Sequence, residues 1–136
     1  PQAVDGFRRR LVRSDRLRRR SEYDRVYEQG QRVHGQFMTV FRVSSAPSPD
    51  TRFGVSASRK LGKAVDRNRA KRVAREIFRL NRPPGGMDIV IVPRRQMLKA
   101  PFPLLEAEFR RSLTRNGSAP QPKPRSPRRP GAAQGL

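Results

Sequence analysis

The 136-residue chain has no cysteine, no tryptophan, one histidine and only 11 acidic residues. Without cysteine it forms neither disulfides nor thiolate zinc sites, and a cysteine nucleophile is excluded. No apolar run reaches the roughly 18 residues of a membrane span, and the first residues lack the apolar stretch of a signal peptide. We therefore expect a cytoplasmic protein in a reducing compartment, with no membrane partner.

Positive charge dominates what is present. The chain carries 32 Lys and Arg residues, a formal net charge of +21 and a pI near 12.0. Most of the basic residues are arginine, whose planar guanidinium binds phosphate and also stacks on bases. Such a charge needs a polyanion to offset its self-repulsion, and nucleic acid is the usual one. The composition favours a nucleic-acid partner over a small-molecule substrate.

Local composition indicates one folded domain between two basic ends. Residues 1–15 are predicted to be a mobile basic segment, although Leu11 is apolar enough to pack against the domain. Residues 16–116 contain the clustered apolar positions of a modest core. Residues 117–136 are rich in proline and arginine with almost nothing to bury, so they are predicted to be disordered.

Apolar periodicity within the domain predicts helices and strands in the order αββαβα. The two early strands are expected to pair as a hairpin, and the late strand to be covered on both faces. This order predicts an α/β (α+β) two-layer sandwich. The predicted elements are a helix from Ser21 to Gly30, the strands GQFMTVFRV and RFGVSAS, a helix from Lys63 to Asn81, the strand DIVIVP and a helix from Pro103 to about Asn116.

The central helix has two opposite faces. At about 100° per residue, one arc is apolar and the arc opposite is almost entirely cationic. Like charges three or four positions apart cost a few tenths of a kcal/mol each, and only Glu76 is available to dilute them. The alternative to a phosphate-binding face is a solvated basic one. The apolar arc is Ala70, Val73, Ala74, Ile77 and Leu80, and the cationic arc is Asn68, Lys71, Arg72, Arg75, Arg79 and Arg82.

The segment from Arg52 to Arg75, RFGVSASRKLGKAVDRNRAKRVAR, resembles the signature of the protein subunit of bacterial ribonuclease P. That ribonucleoprotein removes the 5′ leader from precursor tRNA. The resemblance extends from about Leu17 to Leu113 and rests on Gly54, the basic pair before the helix and the Arg-Asn-Arg run inside it. It implies a small mixed four-stranded sheet in an αβββαβα-like order, with a left-handed βαβ crossover.

The resemblance also implies partners and roles. The partners are the catalytic RNA, one protein per RNA, and precursor tRNA; the RNA performs the hydrolysis with Mg²⁺, and the protein has no catalytic residue and holds no metal. The implied RNA-binding residues are Arg59, Lys60, Lys63, Arg67, Asn68, Arg69, Lys71, Arg72, Arg75 and Arg79. The implied cleft for the leader contains Tyr23, Tyr27, Val40 and Ser56.

Several of these positions admit a plainer interpretation. Tyr23 and Tyr27 have a spacing suited to stacking on unpaired bases, but either is also a candidate core or rim aromatic. Val40 occupies a position where the family often has an aromatic, while Phe41 alternates to the opposite face. Asn68 suits a phosphate contact or a local helix cap equally well.

Groups for protein-based cleavage are scarce. His34 has no acidic partner nearby in sequence and is interpreted as a strand-edge histidine, and Asp24 is explained by the N-terminal dipole of the first predicted helix. The main hypothesis is therefore an RNA-binding subunit of a tRNA-processing endonuclease. The competing hypotheses are a free-standing nuclease, a basic ribosome- or nucleoid-associated binder without a processing role, and a membrane-binding basic helix.

Overall fold

The computed structural model describes residue 11 and residues 15–45, 48–83 and 85–114. Its elements follow the order αβββαβα, with short 3-10 helices at Arg59–Leu61 and Arg95–Lys99. The short strand β1 is the one element of this order that the apolar pattern did not predict. In chain order the elements are α1 (Arg20–Gln29), β1 (Gln31–His34), β2 (Met38–Ser44), β3 (Arg52–Val55), α2 (Ala64–Leu80), β4 (Met87–Pro93) and α3 (Phe102–Thr114).

The four strands form one mixed sheet in the order β1-β2-β4-β3. β1 pairs antiparallel with β2, β2 pairs antiparallel with β4, and β3 pairs parallel with β4. The predicted hairpin between β2 and β3 is therefore wrong. β4 lies between those two strands. It is the most apolar strand, and the central position buries it by pairing on both sides. β3 becomes an edge strand.

The crossover from β3 through α2 to β4 is left-handed, as the resemblance implied. The side chain of Ile91 lies on the face covered by α2, and its carbonyl oxygen accepts a hydrogen bond from the Ser56 N–H at 3.0 Å. Consider the sheet with β3 and β4 pointing up and α2 in front. When the side chain of an L-residue on β4 points forwards, its carbonyl oxygen points to the right, so β3 lies to the right of β4. The chain thus moves leftwards as it crosses, against the usual right-handed rule.

Helices cover both faces of the sheet. The face under α2 and α3 is packed by residues such as Val40, Phe53, Ile77, Ile91 and Phe109. The opposite face, under α1, is packed by Leu17, Val26, Tyr27, Phe41 and Val90. β4 is covered on both sides, as predicted, with Ile89, Val90 and Ile91 fully buried. The α+β class is confirmed, and α1 adds a third layer to the two that were predicted.

The first helix begins at Arg20, one residue before the predicted Ser21, and Glu22 in its first turn bonds the two backbone N–H groups that precede the helix. The Glu22 carboxylate accepts hydrogen bonds from the N–H groups of Arg18 and Arg19 at 2.7 and 2.9 Å. Burial tends to raise the pKa of Glu22, but these bonds and the Arg52 guanidinium together lower it. Gly30 ends the helix, as predicted.

A buried carboxylate joins α1 to the sheet. Asp88 on β4 is 1% exposed and accepts two hydrogen bonds from Arg52, at 3.0 and 3.1 Å, and one from Arg25, at 2.9 Å. The hydrogen bond to Asp88 raises the pKa of Arg52. Arg52 also bonds Glu22 at 2.9 Å, so helix and strands share one charge network. These arginines serve the fold.

The folded part begins earlier than predicted. Asp15, assigned to the mobile segment, is 6% exposed and pairs with Arg82 at 3.0 Å. Leu11 packs against the core, as expected. Arg82 follows the end of α2, lies over the Phe78 ring and is buried, so its placement on the cationic arc is wrong. Residues 1–10 and 12–14, the predicted tail 117–136 and the predicted end of α3 at Asn116 lie outside the described residues.

Candidate nucleic-acid interface

The outward face of α2 carries closely spaced cations on a rigid base. Ala70, Ala74 and Ile77 on its inner side are completely buried against the sheet and α3. Helical geometry then directs the positions between them outwards. We refer to the resulting surface as the cationic ridge: Asn68 and Arg72, which are exposed, with Lys71 and Arg75, which are half-buried.

The acids near the ridge are engaged elsewhere. Asp66 accepts a hydrogen bond from the Lys63 N–H at 3.0 Å and so caps the start of α2. Glu76 pairs with Arg79, which lowers the pKa of the Glu76 carboxyl. Among the residues that the structure describes, Lys71, Arg72 and Arg75 form no ion pair. The cationic ridge is therefore electrostatically unsatisfied in the free protein.

A groove opens between the cationic ridge and the edge strand β3. It has a volume of about 170 Å³ and contains Tyr23 from α1, Gly54 from β3, and Lys71 and Arg75 from α2. We refer to it as the tyrosine groove. α1 and α2 lie on opposite faces of the sheet, so their side chains meet only around its open edge. An aromatic ring and two cations thus line one concave surface.

The Tyr23 ring packs directly against Gly54. A Cβ atom at position 54 would lie 2.6 Å from the Tyr23 hydroxyl oxygen and 2.7 Å from the adjoining ring carbon. No side chain fits there unless the ring moves. A hydrogen bond with the Val55 backbone acts to lower the pKa of Tyr23. Burial raises the pKa of Tyr23 against the effect of that bond, and the Glu22 charge adds to the rise, so the phenol is neutral at physiological pH.

Arg75 is partly buried in the groove beside two other cations. Burial lowers its pKa, and the charges of Arg16 and Arg72 lower it further. Arg16 reaches the groove because its segment forms a parallel bridge with Phe53 at the outer side of β3, where the Leu17 N–H donates to the Phe53 carbonyl at 2.8 Å. A bound anion would relieve this repulsion, so the groove is suited to a phosphate.

Two residues assigned to the leader cleft do not line it. Val40 is completely buried under α2 and α3, on the face opposite α1, and its assignment is wrong. Tyr27 is 1% exposed and packs edge-on against Phe41 with ring centroids 4.9 Å apart, so it is a core aromatic in this structure. Ser56 is half-buried and directly follows β3, at the same sheet edge as the tyrosine groove.

The other basic residues that were predicted to bind RNA lie outside the cationic ridge. Arg59 and Lys60 are exposed in the 3-10 helix before α2, Lys63 is exposed at its N-cap, and Arg69 is exposed on one flank. Arg67 donates to the Gly62 carbonyl at 3.0 Å. Arg79 is held by Glu76 and is not a free cation.

The structure also shows the surroundings of Asn68 and His34. Asn68 is exposed, and since Asp66 caps α2, the cap interpretation of Asn68 loses its support. His34 lies on the edge strand β1, where Thr39 and Arg94 contact its two ring nitrogens at 2.9 and 2.8 Å, which confirms the strand-edge interpretation. Within the described part of the chain, no three His, Cys, Asp or Glu residues gather as a metal site.

Sequence reasoning missed the contribution of Arg16 and the steric role of Gly54. Arg16 precedes all regular elements, so no periodicity marks it. Gly54 was noted only as part of a motif, because the ring that it accommodates comes from a helix about thirty residues earlier. Only the three-dimensional packing of α1 on the sheet connects them.

An unneutralised cationic helix beside an aromatic groove is typical of the class of proteins that bind nucleic acid with unpaired segments. Comparison with known proteins agrees. The family model described as Ribonuclease P matches residues 11–117. The chain belongs to the ribonuclease P protein family.

Individual relatives support this membership. The chain is 46% identical over 90 residues to the ribonuclease P protein component of Oleidesulfovibrio alaskensis, covering 64% of this chain and 72% of that one. It is 40% identical over 109 residues to that of Symbiobacterium thermophilum, covering 79% and 95%. The solved ribonuclease P protein of Thermotoga maritima superposes with a TM-score of 0.66 at 30% identity, covering 76% of this chain and 98% of that one.

The contact between Gly54 and Tyr23 can be tested by a double-mutant cycle. Gly54→Ala should lower the free energy of unfolding by about 1 to 3 kcal/mol, because the added methyl group overpacks the ring. In the Tyr23→Ala background the same change should cost only a small fraction of that. Urea denaturation measures both. An equal loss of unfolding free energy in the two backgrounds would show that Tyr23 does not pack against Gly54.

Proposed function

We propose that this protein binds the catalytic RNA of ribonuclease P through the cationic ridge and the 5′ leader of precursor tRNA through the tyrosine groove. It thereby promotes endonucleolytic removal of the leader. The observation that carries this proposal is the shared lining of the groove: Lys71 and Arg75 belong to the ridge and also face Tyr23. One small domain is thus able to hold two RNA segments next to each other.

The cationic ridge has the properties of a phosphate-binding surface. Its charges stand on a helix whose inner side is fixed in the core, so little backbone conformational freedom is lost on binding. Binding of phosphates to Lys and Arg releases counterions, which supplies a large part of protein–nucleic acid affinity. The exposed amide of Asn68 adds a neutral hydrogen-bonding group between the cations.

The tyrosine groove is suited to a single strand. Its volume of about 170 Å³ is too small for a duplex, while an unpaired base is able to stack on the ring of Tyr23 as its phosphate approaches Arg75. The leader of precursor tRNA is single-stranded and is absent from mature tRNA. A groove of this kind therefore distinguishes substrate from product.

The described residues offer little for cleavage by the protein itself. Carboxylates that would hold a metal are used in the fold: Asp88 by two arginines, and Glu108 by the N–H groups of Gln36, Phe37 and Met38. We therefore assign phosphodiester hydrolysis and its Mg²⁺ to the RNA, in a complex of one protein per RNA. The protein neutralises charge and positions the substrate.

The alternative is a basic ribosome- or nucleoid-associated protein. The cationic ridge alone is sufficient for such a protein. The close packing of Tyr23 on Gly54 beside the ridge favours the ribonuclease P function instead. None of the helices in the described part of the chain is long and apolar enough to cross a membrane. Location in the cytoplasm stays a prediction.

Reconstitution tests the proposed function. Added to ribonuclease P RNA at low Mg²⁺, the protein should accelerate 5′ processing of precursor tRNA well above the rate of the RNA alone. Added Mg²⁺ should reduce the advantage, since cations then screen the RNA instead of the protein. The protein without RNA is the control. Processing by the protein alone, or no stimulation of the RNA, would contradict the proposal.

Tyr23 should determine selectivity for precursor tRNA. In the reconstituted complex, Tyr23→Ala should reduce the preference for precursor over mature tRNA by about 1 to 3 kcal/mol, through loss of one base stack. Tyr27→Phe is the matched control, since that ring is buried, and it should leave the preference unchanged. Binding constants for both tRNAs measure the effect. Equal weakening of both tRNAs by Tyr23→Ala would show a merely structural tyrosine.

A further inference from the structure

A second groove lies on the other flank of α2. It is about 620 Å³ in volume, larger than the tyrosine groove, and runs between the first turns of α2 and the 3-10 helix Arg95–Lys99. Leu61, which is buried, and Leu98, which is half-buried, contribute its apolar floor. Arg69, Arg95 and Lys99 stand around it and are all exposed.

The charge of this groove is largely uncompensated. Asp66 is the acid that lines it, and its carboxylate is occupied by the Lys63 N–H. In the described ranges, Arg69, Arg95 and Lys99 form no ion pair. Three cations around an apolar floor are suited to a nucleotide chain, whose sugars and bases cover the leucines while its phosphates meet the charges.

The second groove is continuous with the cationic ridge and separate from the tyrosine groove. Arg69 and Arg72 are three residues apart and therefore neighbours on the helix surface. Arg69 points about 120° away from Arg75 around the helix axis, at about 100° per residue. An RNA strand bound in the tyrosine groove lies on the opposite flank of α2 from the second groove. An RNA that covers the cationic ridge, in contrast, reaches the second groove directly.

We propose that the second groove binds the backbone of an unpaired segment of the catalytic RNA, so that α2 is held from both flanks. Arg95 and Lys99 are the new contact residues, contributed by a segment outside the family signature. This inference rests on the proposed function, because it takes the RNA on the ridge to be the catalytic RNA. The precursor tRNA is the other candidate occupant and is an outcome of the test.

The first experiment compares two variants of equal charge. Arg95→Ala/Lys99→Ala should weaken binding to ribonuclease P RNA and make the slope of log K against log salt shallower by about 1.4 to 1.8, or 0.7 to 0.9 for each lost phosphate contact. Arg110→Ala/Arg111→Ala removes the same charge from an exposed part of α3 that does not line this groove and should leave the slope near wild type. Equal slopes for the two variants would overturn the inference.

The second experiment identifies the occupant. Since the chain has no cysteine, Gln96→Cys creates a unique attachment point for a photocrosslinker inside the groove. In the complete complex with precursor tRNA, it should crosslink to the catalytic RNA, as should Arg72→Cys, while Arg111→Cys should give a much lower yield. A crosslink to the tRNA, or a yield no higher than that of Arg111→Cys, would overturn the inference.

The two proposals fail in different ways. If the wild-type protein neither binds ribonuclease P RNA nor stimulates processing, the proposed function itself is wrong. If the wild type does both, and the Arg95→Ala/Lys99→Ala variant matches the α3 control, only the second groove is wrong.

Discussion

Unrelieved repulsion on one face of α2 is the constraint on which the rest of this structure depends. The helix stays in place because Ala70, Ala74 and Ile77 bury an apolar underside, while its outer surface gathers cations that the fold does not neutralise. The acids are committed elsewhere: Asp88 to arginines beneath α1, Asp15 to Arg82, and Glu108 to backbone N–H groups. Folding therefore leaves a charged surface that only a polyanion satisfies.

The sheet topology places the tyrosine groove beside this charged surface. Because β4 takes the central position, β3 is left at the edge, and helices from both faces of the sheet reach around it. α1 contributes Tyr23 and α2 contributes Lys71 and Arg75. Gly54 permits the close approach. Had β3 paired with β2, as a simple hairpin would require, a neighbouring strand would separate these groups.

Local sequence pattern predicted α2 well and the tertiary arrangement less well. The period of the helix gives its two faces directly, and the burial of Ala70, Ala74 and Ile77 follows it. The resemblance to the family assigned Val40 to the cleft. Strand alternation places Val40 and Phe41 on opposite faces, but it does not say which face α1 covers, so it did not correct that assignment. The pairing partner of β3 and the pairing of Arg82 with Asp15 depend on contacts distant in sequence, which no local pattern contains.

The central claim is tested most directly by measuring stability and RNA affinity on the same variant. Arg72→Gln/Arg75→Gln removes two repelling charges and keeps side chains of similar reach. The free protein should become more resistant to urea at low salt, while its affinity for ribonuclease P RNA falls and its salt dependence becomes shallower. Loss of stability together with unchanged RNA affinity would contradict the account, because the two arginines would then serve the fold and not the RNA.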